Sequence, residues 1–124
     1  MPVSLAAGSY ADFAAFDAGV WWIKEDYGMR AVNWGQKGDI PVPADYNGDG
    51  RTDLAVYRPA DASWWLLYNR DPFQAQASAQ VWGEPEDVPV PEDYDGDGAA
   101  DIAVWRPSTG AWYILYRDGR VQVE

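Results

Sequence analysis

A shift of 48 residues lays the last part of this chain onto the part before it. Asp45 falls on Asp93, and the same displacement carries Trp34 to Trp82, Pro41 to Pro89, Arg58 to Arg106, Trp64 to Trp112 and Tyr68 to Tyr116. A fixed period of this length marks an array of one supersecondary unit, in which each copy buries its apolar faces against its neighbours. A weaker first copy precedes these two. Pro2-Val3 answers Pro41-Val42, Asp12-Phe13-Ala14 answers Asp53-Leu54-Ala55, and Val20-Trp21-Trp22-Ile23 answers Ser63-Trp64-Trp65-Leu66. The units divide the 124 residues into 1–38, 39–86 and 87–124.

Within a unit, short runs rich in Val, Ile, Tyr and Trp alternate with Gly, Pro, Asn and Asp, and no run has the spacing of an amphipathic helix. The middle unit reads as four strands, 40–46, 52–58, 63–69 and 79–82, the pattern of one propeller blade. The runs Leu54-Ala55-Val56-Tyr57 and Trp64-Trp65-Leu66-Leu67-Tyr68 are apolar at consecutive positions, so both faces of their sheet are expected to be buried. Pro41 and Pro43, like Pro89 and Pro91, alternate and lack donors on one side, which places the first strand of each unit innermost or at an edge.

Between the first two strands lie Asp45-Tyr-Asn-Gly-Asp-Gly-Arg-Thr-Asp53 and Asp93-Tyr-Asp-Gly-Asp-Gly-Ala-Ala-Asp101. Side-chain oxygens stand at loop positions one, three, five and nine: Asp45, Asn47, Asp49 and Asp53, then Asp93, Asp95, Asp97 and Asp101. Ca2+ takes about 6–8 hard oxygen ligands, and alternate residues of a tight turn can aim several at one centre. Gly50 and Gly98 at position six let the chain bend back, bringing the carbonyls of Arg51 and Ala99 within reach. The expectation is two Ca2+ sites per chain, the second tighter because it offers four carboxylates against three and an amide. An EF-hand would need Glu at position twelve, where Val56 and Val104 stand. The first unit has Ala7–Asp12 in this place and keeps only the final Asp, so no metal is expected there. The plainer alternative is a pair of hairpin turns, for which Asn-Gly and Asp-Gly are strong signals. A turn alone, however, does not call for spaced carboxylates.

These loops, followed by Leu54-Ala-Val-Tyr-Arg-Pro59 and Ile102-Ala-Val-Trp-Arg-Pro107 and then by Trp64-Trp-Leu-Leu-Tyr68 and Trp112-Tyr-Ile-Leu-Tyr116, resemble FG-GAP or VCBS repeats of integrin-type propellers. The resemblance covers nearly the whole chain, although the first unit lacks the acidic loop and the Arg-Pro step. It implies an all-β fold of three tandem four-stranded antiparallel β-propeller blades. It also implies calcium loops that are chiefly structural, and an extracellular or cell-surface role in adhesion, ligand or carbohydrate binding. The first residues have neither the basic start nor the apolar stretch of a secretory signal, so the expectation is that export is absent or that a signal was removed.

Composition narrows the function. With 9 Lys+Arg against 20 Asp+Glu the formal charge is -11, which repels nucleic acid and anionic membranes and favours cations. The absence of Cys and His removes thiol nucleophiles, the usual zinc ligands and the commonest general base. The carboxylates outside the loops, Glu84, Glu86 and Asp87 or Glu25 and Asp26, read as exposed turns, so no enzyme is expected. Arg58 and Arg106 read either as bridges to a neighbouring blade's Asp or as solvated side chains.

Trp21, Trp22, Trp64, Trp65, Trp112 and Tyr113 recur at one strand position, as packing between blades demands, while Trp34 and Trp82 near the blade rims are candidate sugar platforms. Closed propellers have about four to eight blades, so three leave two apolar faces in water. The expected partners are a second copy, giving a ring of six blades, or further blades of a longer chain, together with a protein or glycan ligand. The reading is a non-catalytic, calcium-binding module for recognition, adhesion or scaffolding. Its alternatives are a lectin-like propeller and the non-catalytic domain of a secreted enzyme.

Overall fold

The computed structural model describes residues 2–3, 13–25, 28–68 and 77–124. Every element among them is a strand, arranged as three four-stranded antiparallel sheets of propeller-blade type. The first sheet contains β1 (Pro2–Val3), β2 (Phe13–Asp17), β3 (Val20–Glu25) and β4 (Gly28–Asn33). The second contains β5 (Ile40–Pro41), β6 (Leu54–Arg58), β7 (Ser63–Leu67) and β8 (Ala77–Val81). The third contains β9 (Val88–Pro89), β10 (Ile102–Arg106), β11 (Ala111–Leu115) and β12 (Val121–Val123). In each sheet the strands lie side by side in chain order, as a meander.

The first strands are shorter than their sequence pattern. The run expected over 40–46 is a strand only at Ile40–Pro41. Pairing resumes beyond it, where Val42 donates to the carbonyl of Ala55 at 2.8 Å and Ala44 bridges Asp53. As the prolines require, β5 and β9 are edge strands. The second and third strands begin or end one or two residues inside their expected limits, and β8 starts at Ala77 rather than Ala79.

Side chains alternate between sheet faces, so each blade has two distinct apolar sides. In the second blade one face carries Ala55, Tyr57, Trp64 and Leu66, and the other carries Leu54, Val56, Trp65 and Leu67. We call these the leading and receiving faces. The receiving face packs on Phe16, Trp21 and Ile23, the leading face of the first blade. The leading face meets Val104, Ile102 and Tyr113, the receiving face of the third. Trp21, Trp64, Leu54, Val56 and Val104 are all fully buried in these two joints. A buried Trp removes about 150–250 Å² from water, an upper bound of roughly 4–6 kcal/mol each at 25 cal/mol per Å². The joints are therefore held chiefly by aromatic burial.

The packing divides the six recurrent aromatics. Trp64 is 0% exposed, yet Trp112 at the same register of the third blade is 39% exposed, and Trp22 on the receiving face of the first is 48% exposed. Identical positions differ because a blade lies against one and not the other.

Two further bond types recur, one between blades and one within them. Trp34 donates its indole N–H to the carbonyl of Trp65 at 3.0 Å, and Trp82 donates to that of Tyr113 at 3.0 Å, each reaching from one blade to the next. Inside the blades, Arg58 grips Asp39 through two bonds of 3.0 Å, and Arg106 grips Asp87 at 2.9 and 3.0 Å. Both arginines lie over an aromatic ring, Trp65 at 4.9 Å and Tyr113 at 4.1 Å. The sequence reading is corrected here on two points. The acidic partners belong to the arginines' own blades, because the short edge strand delivers its preceding Asp beside the end of the second strand. Asp87, read as part of an exposed turn, is 5% exposed. Glu84 remains exposed, and residues 26 and 7–12 lie outside the described residues.

Candidate metal centre

Each acidic loop is folded by its own first aspartate. Asp45 Oδ1 accepts the N–H groups of Gly48 at 2.8 Å and Asp49 at 3.3 Å, and Oδ2 accepts that of Gly50 at 2.9 Å. Asp93 repeats the set with Gly96 at 2.8 Å, Asp97 at 3.2 Å and Gly98 at 3.0 Å. This wrapping requires left-handed backbone at two positions per loop. Gly48 and Gly50 have φ of 77° and 85°, Gly96 and Gly98 of 75° and 92°, where a Cβ is disfavoured.

The last aspartate anchors the other end. Asp53 and Asp101 are buried at 0% and 1% exposure and accept the N–H groups of Tyr46 and Tyr94, each at 2.9 Å. Tyr46 and Tyr94 in turn donate their hydroxyls to the carbonyls of Val42 and Val90 at 2.6 and 2.7 Å. Burial, then the nearby Asp53 charge, pushes the Tyr46 hydroxyl well above its ordinary pKa, so it stays a donor. Val56 and Val104, at the position an EF-hand gives to Glu, are fully buried core residues.

The two loops are not equivalent. In the second, carboxylate oxygens of Asp93, Asp95 and Asp101 all lie within 4.8 Å of one another, the single cluster of this kind among the described residues. Asp97 stands apart, with Oδ1 on the N–H of Ala99 at 3.0 Å and Oδ2 3.9 Å from Arg117. In the first loop Asn47 takes the place of Asp95 and accepts from Asp49 at 3.3 Å, while Asp49 accepts from Arg51 at 2.8 Å. Arg51 and Ala99, the expected carbonyl ligands, therefore have their N–H groups fixed by the loop.

Electrostatics marks the same cluster. Asp101 is raised above the usual carboxylate range by burial, with Asp95 and Asp97 adding repulsion against the N–H bonds from Tyr94 and Arg117. Asp95 is raised by desolvation and by the charges of Asp97 and Asp93. Asp93 is lowered, because the N–H bonds from Gly98, Gly96 and Asp97 outweigh its desolvation. A set of crowded oxygens, two of them strained toward protonation, fits a hard divalent cation such as Ca2+.

Sequence reasoning missed the cations of the third blade. Arg120 lies 3.1 Å from Asp95, and Arg117 also gives its N–H to Asp101 at 3.3 Å. Both flank the Asp118-Gly119 turn between β11 and β12, and the turn type was the available signal. The two loops also touch: Ala100 donates to the carbonyl of Asp45 at 2.7 Å. Beside them, between the second and third blades, runs a cleft of about 280 Å³ lined by Asn47, Tyr68, Gln80 and Arg117 among others.

Trp34 and Trp82, the candidate platforms, are partly buried, and their indole N–H groups are committed to the neighbouring blade. Part of each ring faces a shallow pocket, shared with Trp65 or with Arg106 and Tyr113.

No curated protein and no solved structure matches the chain. Residues 38–70, the segment holding the first acidic loop with β5, β6 and β7, match the family model described as FG-GAP repeat.

Proposed function

We propose that this protein is a non-catalytic β-propeller module, braced by Ca2+, that works outside the cell in recognition, adhesion or scaffolding. The observation that carries the calcium reading is the convergence of Asp93, Asp95 and Asp101 within 4.8 Å in a loop whose backbone is already wrapped. Bound calcium would take ligands from this set and, in the first loop, from Asp45, Asn47, Asp49 and Asp53, neutralising charge that the folded chain crowds together. The extracellular placement is supported by the abundance of calcium there and by the family. Among the described residues no helix is long and apolar enough to cross a membrane. The absence of His and Cys supports the non-catalytic reading.

Both loops border the cleft between the second and third blades, so calcium would stiffen the wall of a binding site. The cleft's amides, phenols and guanidinium suit a hydroxyl-rich ligand, which favours glycan recognition as the second reading. Calorimetric titration of metal-free protein with calcium tests the first reading. Two sites are expected, the tighter one weakened at least tenfold by Asp95→Asn, and no heat at millimolar calcium would overturn it. A glycan array combined with sugar-induced change in Trp emission tests the second, and silence in both removes it.

A further inference from the structure

We propose that the open leading face of the third blade docks onto the open receiving face of the first blade in a second copy, so that two chains close head to tail into a six-bladed ring. The inference rests on blade packing and not on calcium.

The joint in question is already made twice inside the chain. In the first, Trp21 of the leading face lies with Phe16 and Ile23 against Leu54, Val56 and Trp65. In the second, Trp64 lies with Tyr57 and Leu66 against Val104 and Tyr113. Strand register identifies the remaining halves. Trp112 pairs with Trp105 as Trp64 pairs with Tyr57 and Trp21 with Phe16, so the third blade carries a complete leading face. Trp22 pairs with Ala15 as Trp65 pairs with Val56 and Tyr113 with Val104, so the first blade carries a receiving face.

Those two halves hold the large aromatics that packing leaves in water. Trp112 is 39% exposed where Trp64 is 0%, and Trp22 is 48% exposed, with Met29 at 60% on the same face. A surface whose internal equivalents select a face of known shape fits that shape again, and a second copy supplies it. A leading face on a leading face has no precedent within the chain, which argues against a symmetric patch-to-patch dimer. Charge agrees: Lys24 follows Trp22 on the receiving face, and Glu124 lies opposite Trp112 beside the leading face. Two head-to-tail contacts close under a two-fold axis, and six blades fall within the range of about four to eight seen in closed propellers.

The test is the solution mass of the 124-residue chain in millimolar calcium, by light scattering and native mass spectrometry, with near-ultraviolet circular dichroism as the check on folding. The ring requires the mass of two chains, and Trp22→Glu and Trp112→Glu should each give folded monomers. A variant that fails to fold is replaced by Trp22→Ser or Trp112→Ser, which leaves the same logic intact. A folded wild-type monomer, a ladder of open polymers, or a dimer that survives both substitutions overturns the ring.

Discussion

Trp82 donates its indole N–H to the main-chain oxygen of Tyr113 at 3.0 Å, closing the joint between the second and third blades 48 residues after Trp34 does the same to Trp65. The repeat thus preserves a bond from side chain to backbone as well as an apolar surface. Trp82→Phe keeps a ring in place and removes the donor. Loss of about 1–2 kcal/mol is expected in urea unfolding, from the bond and the stranded carbonyl. An unchanged midpoint would show the latch to be incidental.

The Arg106–Asp87 pair should carry much of the acid sensitivity. The Asp87 carboxyl is lowered by the Arg106 guanidinium, with the N–H of Glu84 assisting against desolvation. A folded pKa below the unfolded one contributes stability that is present above about pH 4 and is lost as pH falls through the folded value. Arg106→Ala should remove that dependence in melts taken from pH 6 to pH 2.5. It should also cost about 3 kcal/mol at neutral pH, because the buried carboxylate is left unpaired.

The metal-free second loop should show the opposite sign of pH dependence, and calcium should reverse it. Asp95 and Asp101 are raised, so in metal-free protein their ionisation opposes folding: the stability they give is present below the unfolded pKa and lost as pH rises through the folded one. Calcium requires the ionised forms. At 100 times the dissociation constant it should stabilise by about 2.7 kcal/mol at pH 7, and by clearly less at pH 4. Melting curves with calcium or chelator at both values check this, and a chelator without effect at pH 7 would sink it.

Gly83→Ala should be disproportionately costly for an added methyl group. Gly83 has φ of 100°, and a Cβ there would stand 3.1 Å from both Asp87 Oδ2 and Val104 Cγ1. The backbone penalty of about 1 kcal/mol adds to displacement of a buried ion pair and a core side chain. A total of about 2–3 kcal/mol is expected by chemical denaturation, whereas Gly98→Ala, with open space around it, should cost about 1 kcal/mol.

The period of 48, read with prolines at alternate positions and apolar runs of blade length, was enough to place strands β5 to β8 to within a few residues. The loop positions were legible for a similar reason, since Gly and Asp at fixed spacing act within nine residues of chain. The partner of Arg58 was not legible, because Asp39 lies 19 positions away and meets it only after the sheet has formed.

By itself, then, the sequence determined what depends on near neighbours: the strands, the wrapped turns around Asp45 and Asp93, and the supply of carboxylates. Tertiary structure alone decided what depends on packing. It buried Trp64 while leaving its repeat mate Trp112 exposed, gathered Asp93, Asp95 and Asp101 while setting Asp97 aside, and brought Arg117 and Arg120 to their rim. Identical local sequences acquire different environments because a blade's surroundings are set by the sheet beside it, and no window of one repeat contains that neighbour.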